Sequence, residues 1–310
     1  MKVLVMETGA HIDPAALARD CPGIDFDHAT DHHGAMALAG DHEVLVALAH
    51  EVSDALLERL PRLRYISSLT SGVEHLKGLA RLPGDVIITN GRGIHGPQMS
   101  ELAFLYMISL SRGFPAMLEN QHAGVWQRWP QRLIYDKTIA IVGLGAIADD
   151  LATRCKAFGL NVLGVSDART EAENFDAIYP RSAMKEAFGL ADFVVLLVPL
   201  DDRTHHLIDG AALDAMKPGA VLVNIARGPV VDTAALVERL RTGHLGGAGL
   251  DVFEEEPLPA DHPLRAMPNV IVTPRIGGMS DVYAKQVHPL VVHNLTCFAA
   301  GRVADMRNRC

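Results

Sequence analysis

Thr138-Ile139-Ala140-Ile141-Val142-Gly143-Leu144-Gly145-Ala146-Ile147-Ala148 is an apolar run that enters a loop of small residues. The run reads as a strand buried on both faces of a parallel sheet. A helix is expected to follow from about Asp149. The loop fits the pattern GxGxx(G/A), in which the three small positions have separate tasks. Gly143 permits a tight turn, Gly145 lets the backbone approach a pyrophosphate, and Ala148 packs the helix on the strand. The helix N-terminus offers N–H groups and positive potential to phosphates, so Gly143, Gly145, Ala146 and Ile147 are the expected phosphate contacts. A glycine pattern alone is a weak signal; a strand before it and a helix after it make it strong. Asp149 and Asp150 suit the dipole of the first turn but add negative charge near a pyrophosphate. Both are expected to face solvent, Asp150 ahead of Asp149.

The next strand, expected over 161–165, runs into Ser166-Asp167-Ala168-Arg169. An acid about 20 residues beyond the glycines accepts hydrogen bonds from an adenosine ribose. Asp167 stands there and favours NAD. Ser166 with Arg169 would accommodate a 2′-phosphate and favour NADP. The balance leans to NAD, with NADP left open.

The same alternation extends outward in both directions. Strands are expected over 2–6, 43–49, 63–69 and 86–89 in the first third. The later ones are 138–142, 161–165, 193–198, 220–225, 248–252 and 270–272. Amphipathic stretches lie between them, which argues for βαβ units and parallel sheets. Ser53 is a candidate N-cap for a helix over 53–60. Pro97 suits the first turn of a long helix over 97–112, and a last helix is expected over 281–300. No repeat or Pro/Ser-rich linker marks a boundary, so the joins between domains are expected in those two helices.

The chain has 310 residues, 49% of them apolar, enough for two cores. Against 28 Lys and Arg stand 37 Asp and Glu, for a net charge of −9. No basic stripe points to nucleic acid or an anionic membrane surface. The N-terminal run turns polar at Glu7, unlike a signal peptide, and no segment reaches the ~18 apolar residues of a membrane span. The four cysteines are scattered, which suits reduced thiols in a cytoplasmic protein. Metal-ligand spacing and a GxSxG nucleophile elbow are both missing.

Further motifs come in a fixed order. They are Val198-Pro199-Leu200 with Thr204, then Met216-Lys217-Pro218-Gly219, then Asn224-Ile225-Ala226-Arg227-Gly228-Pro229 with Asp232. Gly247-Ala248-Gly249-Leu250-Asp251-Val252-Phe253 follows and leads to Glu256-Pro257-Leu258. The last is Asn269-Val270-Ile271-Val272-Thr273-Pro274 with Ile276-Gly277-Gly278. This ordered set, over roughly 137–285, resembles the NAD(P)-dependent D-isomer-specific 2-hydroxyacid dehydrogenases, and in particular their glyoxylate/hydroxypyruvate reductase-like members. The N-terminal third matches more loosely, through Thr70-Ser71-Gly72-Val73-Glu74 and Asn90-Gly91-Arg92-Gly93.

The resemblance implies an α/β chain of two doubly wound parallel-sheet domains with an interdomain cleft. A flavodoxin-like substrate domain would comprise 1–96 with 285–310, and a Rossmann cofactor domain 97–284. It implies hydride transfer between a nicotinamide cofactor and a small 2-hydroxy or 2-oxo carboxylate. Arg227 would grip the carboxylate and 2-oxo group, with Ser71 and Gly72 offering N–H groups to the same carboxylate. Asp251 would hold the nicotinamide carboxamide, and Pro199, Thr204, Ile225 and Gly277 would complete the cofactor site. Glu256 would orient a catalytic histidine, while Glu254 and Glu255 are expected to be solvated. The family also implies a homodimer formed through about 114–135.

One position departs from the pattern. The family's histidine belongs between Pro274 and Ile276, where this chain has Arg275. A guanidinium keeps its proton at neutral pH and is no general acid. It can polarise a carbonyl and stabilise an alkoxide, but losing a general acid costs about 10²–10⁴ in rate. Four readings follow: an engineered substitution, a proton from another group, a non-redox reaction on a small carboxylate, or an NAD(H)-binding regulator on the same scaffold. Replacement acids are sought in His95 and His288 among 15 histidines. Arg92 and Arg128 are read as surface residues.

Overall fold

The structure is a computed structural model that describes residues 1–310. In chain order the elements begin β1 (Lys2–Met6), α1 (Pro14–Asp20), β2 (Asp25–Ala29), α2 (His32–Leu38), β3 (Val44–Ala47) and α3 (Asp54–Glu58). Next come β4 (Tyr65–Ser68), α4 (Glu74–Lys77), β5 (Ile87–Thr89), α5 (Gly96–Arg112), α6 (Phe114–His122), β6 (Thr138–Val142) and α7 (Ala146–Ala157). After these follow β7 (Asn161–Val165), β8 (Ala177–Tyr179), α8 (Met184–Leu190), β9 (Phe193–Leu196), α9 (Gly210–Asp214) and β10 (Val221–Asn224). The chain ends with α10 (Thr233–Arg241), β11 (Gly247–Leu250), β12 (Val270–Val272) and α11 (Tyr283–Ala299). It divides into two compact units, Met1–Ile94 with Ser280–Cys310, and His95–Met279.

The first unit is a parallel five-stranded sheet in the order β2-β1-β3-β4-β5. Alternate side chains leave opposite faces of a strand. Val3, Val5, Val44 and Val46 therefore meet Val287, Val291 and Leu295 of α11, while Leu4, Met6, Leu45 and Ala47 meet Leu56 and Leu57 of α3. Each fully buried Val, Leu or Met among them contributes about 1.5–3 kcal/mol. Helix starts follow from local chemistry: Asp13 Oδ1 accepts from Ala15 N ahead of Pro14, and Ser53 Oγ accepts from Leu56 N.

The second unit is a parallel seven-stranded sheet in the order β12-β11-β10-β9-β6-β7-β8. Ile139 and Ile141 face α5 and α7, where Ala103, Tyr106, Met107, Leu151 and Ala152 are fully buried. Ala140 and Val142 face the opposite layer with Phe188, Leu213 and Leu236. Strand order reverses between β6 and β9, so this is the sheet's switch point, where open α/β sheets place their ligands.

Several local expectations need correction. The edge strands β2 and β8 were not anticipated; Asp25-Phe26-Asp27-His28-Ala29 mixes charge with apolar residues, and β8 has three residues. Helix α7 starts at Ala146, ahead of Asp149, because Gly145 caps it. The chain passes from one compact unit to the other at 94/95 and 279/280, beside the 96/97 and 284/285 expected from the sequence. Tyr283 lies in the core of the first unit, which draws the returning segment in early.

Candidate active site

At the switch point Gly143 has φ +95 and donates its N–H to Val165 O at 3.0 Å. A Cβ there would lie 2.8 Å from Val198 Cγ1 and 2.9 Å from Val198 N, just after β9. Gly145 faces open space, and no side chain caps α7. The backbone N–H groups of the first turn are therefore left uncapped by side chains, which fits a pyrophosphate at a helix N-terminus. Ala146 is exposed and Ile147 half-buried beside it, while Ala148 is fully buried against the sheet, so a methyl is accommodated where a third glycine was not required. Asp149 is the more exposed of the two acids and pairs with Arg169 Nη1 at 2.8 Å; Asp150 is half-buried and pairs with Arg154 at 2.8 Å. That reverses the expected order of exposure, because Asp150 also packs against the glycine that opens α5.

Beyond β7, Ser166 Oγ accepts from Ala168 N and Arg169 N, both at 3.1 Å. Asp167 Oδ1 accepts from Arg181 N at 2.8 Å, and Arg181 Nε stands 3.6 Å from Oδ2. Sequence reading missed Arg181 because it follows the unrecognised β8. Thr204 is buried and donates its hydroxyl to Pro199 O at 2.7 Å, which braces the loop after β9. Ile225 is buried in the core at the end of β10.

The ends of β10, β11 and β12 carry Arg227, Asp251 and Arg275. Buried Asn224 positions the first: its Oδ1 accepts from Ala226 N at 3.1 Å, and its Nδ2 donates to Arg227 O at 3.0 Å. Arg227 is half-buried, with extended backbone, and Nη1 donates to Ala226 O at 2.8 Å. Gly228 then runs so close to Phe253 that a Cβ would lie 1.9 Å from its carbonyl carbon. Gly228→Ala is expected to lower stability by about 1–3 kcal/mol, measured by denaturant unfolding, and to displace Arg227.

Asp251 is 3% exposed and gathers the loop that carries Arg275. Oδ1 accepts from Thr273 Oγ1 at 2.5 Å and Ile276 N at 2.9 Å; Oδ2 accepts from Gly277 N at 2.9 Å. The Tyr106 hydroxyl bonds Thr273 Oγ1 in turn, and burial pushes that phenol well above its usual pKa. Gly277 is buried, and a Cβ on it would meet Leu102 Cδ2 at 2.6 Å and Asp251 Oδ2 at 2.9 Å. Held on both sides, Arg275 takes φ +57, a conformation that side-chain-bearing residues rarely adopt without such constraint. Its Nη1 donates to Glu256 Oε2, and Glu256 Oε1 accepts from Phe253 N at 3.0 Å.

Glu254 is not simply solvated: His206 Nε2 lies 2.5 Å from its Oε1. Glu255 is exposed. His95, at the head of α5, packs beside the Arg275 loop, with its Cδ2 3.4 Å from where a Cβ on Gly278 would stand. Burial pushes its imidazole pKa down. His288 lies in the first unit and pairs with Asp20 at 2.8 Å, a structural role. Ser71 and Gly72 follow β4 in that unit. Asn90 Nδ2 donates to Ser71 O at 2.8 Å, and the Thr70 hydroxyl donates to Gly72 O at 2.7 Å, which fixes the turn.

The family described as "D-isomer specific 2-hydroxyacid dehydrogenase, NAD binding domain" matches this chain over residues 104–277. The chain belongs to the D-isomer specific 2-hydroxyacid dehydrogenases. It is 33% identical over 310 residues to a glyoxylate/hydroxypyruvate reductase B of Escherichia fergusonii, covering 97% of this chain and 93% of that one. Its fold matches a family member from Aeromonas salmonicida with TM-score 0.88 and 34% identity, over 100% of this chain and 98% of that one. It also matches an NADPH-dependent glyoxylate/hydroxypyruvate reductase of Sinorhizobium meliloti, solved with NADP and sulfate, with TM-score 0.84 and 28% identity over 100% and 98% of the two chains. This dehydrogenase is accordingly an NAD(P)-dependent oxidoreductase of small 2-hydroxy acids. None of its helices is long and apolar enough to cross a membrane.

Proposed function

We propose that this dehydrogenase reduces a small 2-oxo carboxylate at the row Arg227, Asp251 and Arg275, with slow proton delivery. The observation that carries this reading is the fixed geometry of the row. Three adjacent strand ends present a guanidinium, a buried carboxylate and a second guanidinium, and both flanking loops are braced. Arg227 offers a planar fork to the substrate carboxylate. The reduced nicotinamide supplies the hydride. The 143–147 loop holds its pyrophosphate, Pro199, Thr204 and Ile225 shape the adjoining wall, and Asp251 Oδ2 keeps acceptor capacity for the carboxamide. Gly277 lets that carboxylate and α5 come together.

Arg275 occupies the place of the family's acid. It polarises the 2-oxo oxygen and stabilises the alkoxide that forms, with Glu256 fixing its guanidinium. It does not give up a proton. His95 packs beside the Gly278 end of the Arg275 loop, and burial lowers its imidazole pKa, which disfavours the proton-carrying form. A screen of small 2-oxo acids with NADH and NADPH, in stopped assays at several pH values, tests the assignment. Reduction of at least one acid, with no titration of the rate near pH 6–7, is expected. No oxidation of either cofactor by any of them would refute it.

We also infer a cytoplasmic homodimer. Phe114, Leu118, Val125, Leu133 and Tyr135 are exposed, and Trp126 is 94% exposed, an apolar set of the kind that a partner surface covers. Free, buried Cys21, Cys155 and Cys297 suit a reducing compartment. Light scattering is expected to return twice the chain mass.

A further inference from the structure

Two side chains at the end of β7 point to different cofactors, and a third group stands beside one of them. The register of β7 and β8 pairs Val165 with Tyr179, and Ser166 N donates to Tyr179 O at 2.9 Å. Two residues beyond that rung, Asp167 and Arg181 stand level at the neighbouring strand ends. Arg181 takes both oxygens of the acid, one with its backbone N–H and one with its guanidinium. The guanidinium beside Asp167 offsets the negative charge that would otherwise repel a 2′-phosphate there. Arg169 lies on the other side. Its Nη1 reaches Leu144 O in the phosphate loop at 3.3 Å and Asp149 Oδ1 at 2.8 Å. Ser166 accepts two backbone N–H groups and keeps its own O–H to donate.

We propose that Arg181, with Arg169 and Ser166, forms a site for the 2′-phosphate of NADP, and that Arg181 makes this chain prefer NADP(H) to NAD(H). The inference rests on dinucleotide binding at the 143–147 loop. Two guanidiniums bracket the strand end from which a ribose is read, and a fork of N–H donors matches a phosphate. Their present ion-pair partners, Asp167 and Asp149, are solvent-exposed, as is the Arg203 carbonyl to which Arg181 Nη1 donates at 3.3 Å, and exposed ion pairs of this kind are weak and readily exchanged. A dianionic phosphate competes well for both cations.

The opposite arrangement is also definite: Arg181 would only brace Asp167, so that the acid accepts from the 2′-hydroxyl of NAD. The two make crossed forecasts. Calorimetric titration of the unsubstituted protein is expected to show NADPH binding about tenfold or more tighter than NADH. Arg181→Ala should weaken NADPH by about tenfold or more and leave NADH within about twofold. Arg181→Lys should recover part of the NADPH affinity, since it keeps the charge and loses the fork. NADPH binding should also weaken more steeply with salt than NADH binding. Equal affinity for both cofactors, or an Arg181→Ala loss confined to NADH, overturns the proposal while the dinucleotide site stands. Failure of all four nicotinamide dinucleotides to bind at millimolar concentration overturns the site together with the proposal.

Discussion

Arg227→Ala is expected to remove measurable binding of small carboxylates such as oxamate while the affinity for NADPH stays within about twofold. The side chain stands where the first turn after β10 leaves the sheet, and Asn224 holds its backbone from both sides. A planar fork at that point meets a carboxylate with two parallel N–H···O bonds. Truncation leaves the anion without a partner at a half-buried site, a loss of roughly 2–5 kcal/mol, or about 30- to 5000-fold in Kd. The cofactor loop lies at the end of β6, two strands away in the sheet, and does not use this side chain. Titration of oxamate and NADPH into the same variant gives both numbers. Equal loss of both ligands would show that Arg227 holds the sheet edge together and does not bind substrate.

How much of this site is legible before a structure depends on the kind of residue. Strands β6, β7 and β9 announce themselves because a parallel strand buried on both faces is an unbroken apolar run. Edge strands do not: Asp25-Phe26-Asp27-His28-Ala29 needs one apolar face only, and Ala177-Ile178-Tyr179 is too short to show a period. Arg181 was hidden with that short strand. The glycine loop is readable because each small residue answers a local steric demand, and the contact of Gly143 with Val198 shows that demand directly. Arg227 and Glu256 stand out only as part of an ordered set of motifs. The work done by Asp251 is not legible at all, since its partners Thr273, Ile276 and Gly277 lie 22 to 26 positions away. No periodicity encodes a contact of that range. The same holds for Arg275, whose departure from the family pattern is visible in one letter, while the clamp that holds it at φ +57 is not.

Arg275→His is expected to raise the rate of 2-oxo acid reduction by about tenfold or more. The backbone will take the change, because histidine is among the residues that tolerate positive φ. The loop will keep its course, because Asp251 holds it through Ile276 N and Gly277 N and not through the side chain at 275. Glu256 remains anchored to Phe253 N and presents its other oxygen to the new ring. That carboxylate favours the imidazolium form, so the variant's histidine pKa should lie at or above the ordinary ~6.5. Reduction consumes a proton, and the imidazolium supplies it. The gained activity is therefore present below that pKa and is lost as pH rises through it, a titration that the unsubstituted protein should not show. The Glu256→Gln variant of Arg275→His should lose most of the gain, because an amide stabilises the imidazolium less than a carboxylate does. Steady-state rates at pH 5.5–9 on the three proteins measure all of this within about a factor of two. A fast unsubstituted enzyme, slowed by the histidine, would mean that Arg275 is itself the catalytic group and that the proton arrives elsewhere. His95→Ala would then be the informative variant. Its half-buried ring packs beside Gly278 of this loop, within the second unit.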